Sequence, residues 1–144
     1  MRTAIVLGPD GGALPVVARL ARYGLGTPQG TGRQWVSWLH VLDFCRAVEF
    51  LLSRPDLDGT FNFCAPTPLI NQEFNGLLDH YYRPRLHLPQ PRWLLEIGAL
   101  LLRTETELIL KSRKVVPQRL TQAGFAFQFP TCDLALADLV PQLP

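Results

Sequence analysis

The sequence predicts an α/β fold in which short strands of parallel type alternate with amphipathic helices. Three observations carry this. Thr3 to Leu7 is a compact apolar run closed by Gly8-Pro9-Asp10-Gly11-Gly12, the pattern of a central strand buried on both faces of a parallel sheet. Gln34 to Leu39 alternates as a strand and passes through His40 into a helical pattern from Val41 to Leu52. A third strand pattern, Phe61 to Cys64, precedes a helical stripe that ends at Tyr82. Strand and helix periods therefore take turns along the chain, as a layered sheet with helices requires.

The totals agree. With 144 residues, 47% apolar and 18% charged, the chain is long and greasy enough for one domain with a core. A net charge of +2 argues against nucleic acid or an anionic membrane surface as partner. Only Lys111 and Lys114 are lysines, so arginine is the default anion-binding group. Cys45, Cys64 and Cys132 are far apart and odd in number, with no CxxC pair, so neither a zinc site nor a disulfide framework is indicated. Each is expected to be a small buried hydrophobe in a reducing cytoplasm. The apolar run at the start is too short for a signal peptide or a membrane span.

Taken in order, Ala13 to Tyr23 places Leu14, Val17, Ala18 and Ala21 at helical spacing, with Pro15 in the first turn. Gly24, Gly26, Gly30 and Gly32 then form a loop. A phosphate cradle needs a strand before it and a helix start after it. Here the order is helix, loop, strand, and the spacing is not GxGxxG, which favours a plain connection. Asp43 falls in the first turn of the Val41–Leu52 helix, where a carboxylate complements the helix N-terminus. Phe44, Val48, Leu51 and Leu52 form the expected buried side of that helix. His40 is either a hydrogen-bonded junction residue or a pH-sensitive base, the first being the commoner use.

Pro55, Asp56, Asp58 and Gly59 predict a turn. Asn71 caps a helix to Tyr82 with Phe74, Leu77, Leu78 and Tyr81 as its stripe. Leu86 to Leu88 suggests a short strand. Pro91 to Leu102 predicts a very apolar helix that needs a core or a partner to cover it, and Glu105 to Leu110 a second helical piece. Ser112 to Val116 turns back, and Pro117 opens a short helix ending near Gly124. Phe125, Phe127 and Phe129 alternate as on one face of a strand. Thr131 caps a last helix with Leu134, Ala137 and Val140 as its apolar side.

No motif in the chain carries chemistry by itself. There is no Gly-x-Ser-x-Gly elbow, no HExxH, no credible metal cluster and no Tyr-x-x-x-Lys pair: Thr27, Arg85 and Leu86 stand four after Tyr23, Tyr81 and Tyr82.

The ordered set of Arg2-Thr3-Ala4-Ile5-Val6-Leu7-Gly8-Pro9-Asp10-Gly11-Gly12, Trp38-Leu39-His40-Val41-Leu42-Asp43 and Gly59-Thr60-Phe61-Asn62-Phe63 resembles the C-terminal half of an extended or atypical short-chain dehydrogenase. It is most similar to the NAD(P)-dependent epimerase/dehydratase-like proteins sometimes labelled cell-division inhibitors. Lys114-Val115-Val116-Pro117-Gln118-Arg119-Leu120 and Ala123-Gly124-Phe125-Ala126-Phe127 extend the likeness over nearly the whole chain.

The resemblance implies a Rossmann-type fold of which residues 1–144 form one C-terminal region: late parallel strands and a small, mostly helical substrate lobe. The N-terminal half, which in the family holds NAD(P) and the catalytic Tyr and Lys, is expected to be absent. No tight cofactor binding, no catalytic residue and no metal are then expected in this chain alone. Arg2 matches an Arg near the cofactor in the family. Arg33, Gln34, Trp35 and Trp38 are the substrate-facing candidates, with strand packing the competing role for the tryptophans. Sugar-nucleotide enzymes usually carry an Arg at the position of Val36 to clamp a diphosphate, and a valine cannot do this. A flatter, less anionic small molecule is therefore expected. The alternative is a non-enzymatic binding module that self-associates, for example by exchanging elements, to cover apolar surface.

Overall fold

The computed structural model describes residues 1–26, 31–84 and 112–144. The expectations for Leu86–Leu88, Pro91–Leu102 and Glu105–Leu110 lie outside the described residues.

The chain opens with strands β1 (Arg2–Thr3) and β2 (Ile5–Leu7), followed by helix α1 (Ala13–Arg22). Strands β3 (Trp35–Val36) and β4 (Trp38–His40) lead into α2 (Val41–Leu52). Strands β5 (Asn62–Phe63) and β6 (Leu69–Ile70) precede α3 (Asn71–Tyr82). Two helices, α4 (Gln118–Gln122) and α5 (Cys132–Leu139), and a 3-10 turn at Val140–Gln142 complete the described residues.

Arg2 to Leu7 is the centre of the sheet. The N–H groups of Arg2 and Ala4 donate to the carbonyls of Phe61 and Phe63, each at 2.9 Å, while Ile5 N–H donates to Ser37 on the other edge. Alternate amides of an extended chain point to opposite sides. β5 therefore pairs in parallel along one edge (Arg2 with Asn62, Thr3 with Phe63), and β4 along the other (Ile5 with Trp38, Leu7 with His40). The strand is central, as the sequence predicts, but it is not buried throughout: Arg2 and Thr3 are exposed, Ala4 to Val6 half-buried, and only Leu7 is enclosed. Its first residues border an open cleft. β3 pairs antiparallel with β6, Trp35 opposite Ile70 and Val36 opposite Leu69.

Successive side chains of β4 feed two apolar clusters. Trp38 joins Leu14, Ala18, Phe74, Leu78 and Leu136, so α1, α3 and α5 pack together on one face. Leu39 joins Ala47, Phe63, Leu120 and Phe125, which places α2 and α4 on the other. Burying each large side chain contributes about 1.5–3 kcal/mol, so both clusters stabilise the fold.

Several sequence-based expectations are corrected. Leu52 is 79% exposed; Ala47 takes the buried position, with Phe44, Val48, Phe50 and Leu51 against it. On α5 the buried stripe is Cys132, Ala135, Leu136 and Leu139, while Leu134 is exposed. Both sets have helical spacing, and the one with more apolar volume wins. The Phe125–Phe129 segment is irregular rather than a strand. Phe125 and Phe127 meet edge-to-face at 4.8 Å in the α2 cluster, whereas Phe129 belongs to the other cluster, so the three rings do not share a face.

Two glycines meet backbone demands. Gly124, at φ 90, follows the end of α4 as a C-terminal glycine should. Gly59 turns at φ 79, and a Cβ there would lie 2.8 Å from a guanidinium nitrogen of Arg119.

Cys45 is exposed, against expectation, because it lies on the outer side of α2; Cys64 and Cys132 are buried. Burial pushes the Cys64 thiol up to about 11 and, with Asp133 nearby, the Cys132 thiol up to about 12. Thiol titration with an aromatic disulfide reagent is expected to find one fast-reacting group, abolished by Cys45→Ser. The other two should react only after unfolding.

Candidate functional site

A cleft of about 750 Å³ opens at the exposed end of the central strand. One wall is Arg2 to Ile5, and a second is Trp35 to Ser37. The third is Arg113 to Val116 with Gln118 and Arg119 at the start of α4, and Thr60 and Asn62 close it from the β5 side.

The third wall is held by hydrogen bonds that skip most of the chain. Trp35 N–H donates to Ser112 Oγ (3.1 Å), and Arg113 N–H donates back to the Trp35 carbonyl (3.2 Å). The Ser37 hydroxyl donates to the Arg113 carbonyl (2.7 Å) and accepts from Val115 N–H (2.9 Å). Residues 112–116 thus lie alongside Trp35–Ser37 in the same direction, where the sequence predicts only a turn. Ser37, 8% exposed, interrupts the strand pattern because its side chain substitutes for a ladder partner.

Among the described residues four cations line the cleft, Arg2, Arg113, Lys114 and Arg119, and no acidic residue does. Arg119 is already engaged: it donates to the carbonyls of Thr60 (3.0 Å) and Asp58 (2.8 Å), and its guanidinium lies 4.4 Å from the Phe61 ring centroid. It fastens the Gly59 turn. Lys114 Nζ sits 4.2 Å from the Trp35 ring centroid, a cation–π contact. Arg2 and Arg113 make no ion pair among the described residues.

Of the expected site residues, the fold brings Arg2 and Trp35 to this cleft. Arg33 is exposed and Gln34 half-buried, and neither lines it. Trp38 is fully buried, and its indole N–H donates to the Thr67 carbonyl at 3.1 Å, so it is a core residue. The sequence does not single out Arg113 and Lys114, which also line the cleft. The run Ser112-Arg113-Lys114 is visibly polar and basic, but its placement against Trp35 is a long-range contact.

His40 and Asp43 lie inside the fold, away from the cleft. His40 Nδ1 accepts from Leu42 N–H (3.0 Å), capping α2 in the position expected of Asp43. Nε2 is then the protonated nitrogen and donates to Asp138 (3.2 Å), while the ring stacks on Phe129 with centroids 3.8 Å apart. The Asp43 carboxylate, fully buried, accepts from the N–H groups of Gln128 (2.9 Å) and Phe129 (2.8 Å) and from Arg46 (2.6 Å). These N–H groups go to a carboxylate rather than to a neighbouring strand, which is why Phe125–Phe129 joins no sheet. Both side chains are structural.

Burial holds the His40 pKa below its ordinary value of 6.5, partly offset by the hydrogen bond and charge of Asp138 and the charge of Asp43. The unfolded chain therefore takes up this proton first as pH falls. The His40 contribution is constant above about pH 6.5 and declines below it, by at most about 1.4 kcal/mol per pH unit for one proton. Urea melts from pH 7.5 to 5 should show this slope, and His40→Asn, which can still cap α2, should flatten it.

A dinucleotide needs a glycine-rich strand–helix turn for its pyrophosphate. The described junction nearest to this is Gly8–Gly12 between β2 and α1, which lacks the GxGxxG spacing and carries Asp10, a carboxylate that repels phosphate. The described residues do not by themselves fit a dinucleotide. They form no cluster of three or more metal-ligating side chains, and none of their helices is long and apolar enough to cross a membrane.

This fold is shared with part of the Rossmann-type epimerase/dehydratases. The chain superimposes on a human epimerase family protein solved with NADPH at a TM-score of 0.83 and 28% identity, covering 99% of this chain and 48% of that one. A nucleoside-diphosphate sugar epimerase from Corynebacterium glutamicum shares the fold at TM-score 0.74 and 22% identity, with 97% of this chain and 25% of that one covered. In sequence, the chain is 31% identical over 140 residues to an epimerase family protein of Staphylococcus aureus (strain MRSA252), covering 96% of this chain and 45% of the relative. It is 34% identical over 140 residues to one from Staphylococcus saprophyticus, covering 96% and 46%. Residues 90–139 match the family model described as a domain of unknown function, DUF1731. The chain corresponds to the C-terminal part of these epimerase family proteins and spans about half the length of the curated relatives it matches.

Proposed function

We propose that this chain is the substrate-facing C-terminal part of an NAD(P)-dependent oxidoreductase of epimerase/dehydratase type, acting as a single unit on a small molecule. It does not transfer hydride by itself. The observation that carries this reading is the cleft bordered by Arg2 and Trp35 at the open end of the central strand. Hydride chemistry belongs to the cofactor, and this chain's residues shape the pocket and exclude water around the substrate. Arg2 is the cofactor-side contact, and Trp35 faces the substrate. The two buried thiols and the lack of any disulfide among the described residues favour a reducing cytoplasm.

The test is to follow NADPH oxidation across a panel of carbonyl substrates. The chain alone should give no turnover. The chain mixed with the separately produced dinucleotide-binding half of an epimerase family relative should give a complex and measurable oxidation. Turnover by the chain alone would overturn the inactivity, and failure of the halves to associate would overturn the division of labour.

The half-exposed stretch Ala4–Val6 favours one other reading, a self-associating module without catalysis. Light scattering coupled to gel filtration decides: a strictly monomeric chain at high concentration excludes it.

A further inference from the structure

We infer that the outer face of α2 is a docking surface for α2 of a second copy of this chain, packed antiparallel across a two-fold axis. The face is a stripe of Leu42, Cys45, Glu49 and Leu52, all of them exposed, Leu42 by 42% and Leu52 by 79%. At about 100° per residue the stripe lies directly opposite Ala47, the buried centre of the helix. It therefore points away from the core. Its steps of three, four and three residues are those of the a/d seam along which helices pair. One exposed leucine is ordinary, but two leucines and a thiol aligned on one helix face make a seam.

The symmetry of the stripe identifies its occupant. A two-fold interface must be complementary to itself. The steps of three, four and three read the same from either end. Turned end for end, a second α2 sets Leu42 against Leu52 of the second copy, and Cys45 against its Glu49. Both ends of the seam are then apolar pairs, and the carboxylate meets a thiol. Arg46, next to Cys45, keeps its side chain 37% exposed while it pairs with Asp43, so it offers Glu49 of the second copy a cation. A parallel pair would instead put the two Glu49 carboxylates in one layer, where like charges repel. The contact is a single helix of 12 residues, about 18 Å long, so the dimer is small and reversible. This inference uses no residue of the cleft and does not rest on the catalytic reading.

Sedimentation velocity of the chain from micromolar to millimolar concentration tests it. A reversible monomer–dimer equilibrium is expected. Leu52→Asp should weaken association at least tenfold and Glu49→Leu should strengthen it at least tenfold. Both variants should keep the native circular dichroism, because both side chains are exposed. Mild oxidation reads the orientation. Glu49→Cys should give a disulfide-linked dimer that joins Cys45 of one copy to position 49 of the other, and adding Cys45→Ser should abolish it. The unsubstituted chain should give no such dimer. Its two Cys45 would sit about one helical turn apart on axes about 8–10 Å apart, beyond the roughly 7 Å between Cα atoms that a disulfide spans. A strictly monomeric chain overturns the inference. So does a dimer that Leu52→Asp leaves intact, which would place association on the Ala4–Val6 stretch. Crosslinking through Cys45 alone overturns the antiparallel arrangement. NADPH oxidation by the combined halves is a separate readout, so the functional reading stands or falls independently of these results.

Discussion

Asp43→Ala is expected to lower the melting temperature by on the order of 10 °C. The carboxylate is fully buried and accepts from two backbone amides and from Arg46. Hydrogen bonds to a charged group contribute roughly 1.5–3 kcal/mol each, and the orphaned amides of Gln128 and Phe129 would lie where water is scarce. A loss of about 3–5 kcal/mol follows. In a chain of this size each kcal/mol moves the midpoint by about 2–4 °C. Asp43→Asn should be nearly as damaging, since its amide would turn a donor toward a backbone N–H. Were Asp43 only a helix-end charge, the asparagine variant would cost no more than about 1 kcal/mol. Thermal melts followed by far-UV circular dichroism separate these outcomes.

Trp38→Ala is expected to cost about 3–5 kcal/mol. The indole is 0% exposed, packs with Leu14, Phe74 and Leu136, and gives its N–H to the Thr67 carbonyl. Trp38→Phe retains most of the packing and gives up the hydrogen bond, so it should cost less, about 1–3 kcal/mol. Neither change touches the cleft. Trp38→Phe should therefore keep the ligand-binding properties of the parent chain while melting earlier in urea, and altered binding in a folded Trp38→Phe chain would return the residue to the substrate site.

Much of the fold is written locally. The helices α1, α2 and α3 follow from apolar spacing and turn residues, and the chain from Thr3 to Leu7 carries its own strand signal. What escaped the sequence depends on contacts formed late in the chain. Asp43 looks like a helix-start charge because Gln128 and Phe129, its true partners, are 85 and 86 residues away. The Ser112–Val116 segment looks like a turn because Trp35 and Ser37 lie more than seventy residues earlier. The apolar face of α5 is ambiguous because two stripes share one period, and only packing against α3 decides. The site divides likewise. That Arg2 and Trp35 are candidates is legible in the sequence, whereas the placement of Lys114 and Arg113 in the same cleft needed the third dimension.

The start of α2 has a consequence for how the molecule comes apart. Within four residues, His40 and Asp43 hold α5 through Asp138 and the preceding segment through the amides of Gln128 and Phe129. That segment inserts Phe125 into one apolar cluster and Phe129 into the other. Peeling it away strips both clusters in the same event. The two layers thus share a single latch and are expected to melt in one cooperative transition, neither surviving as a partly unfolded remnant.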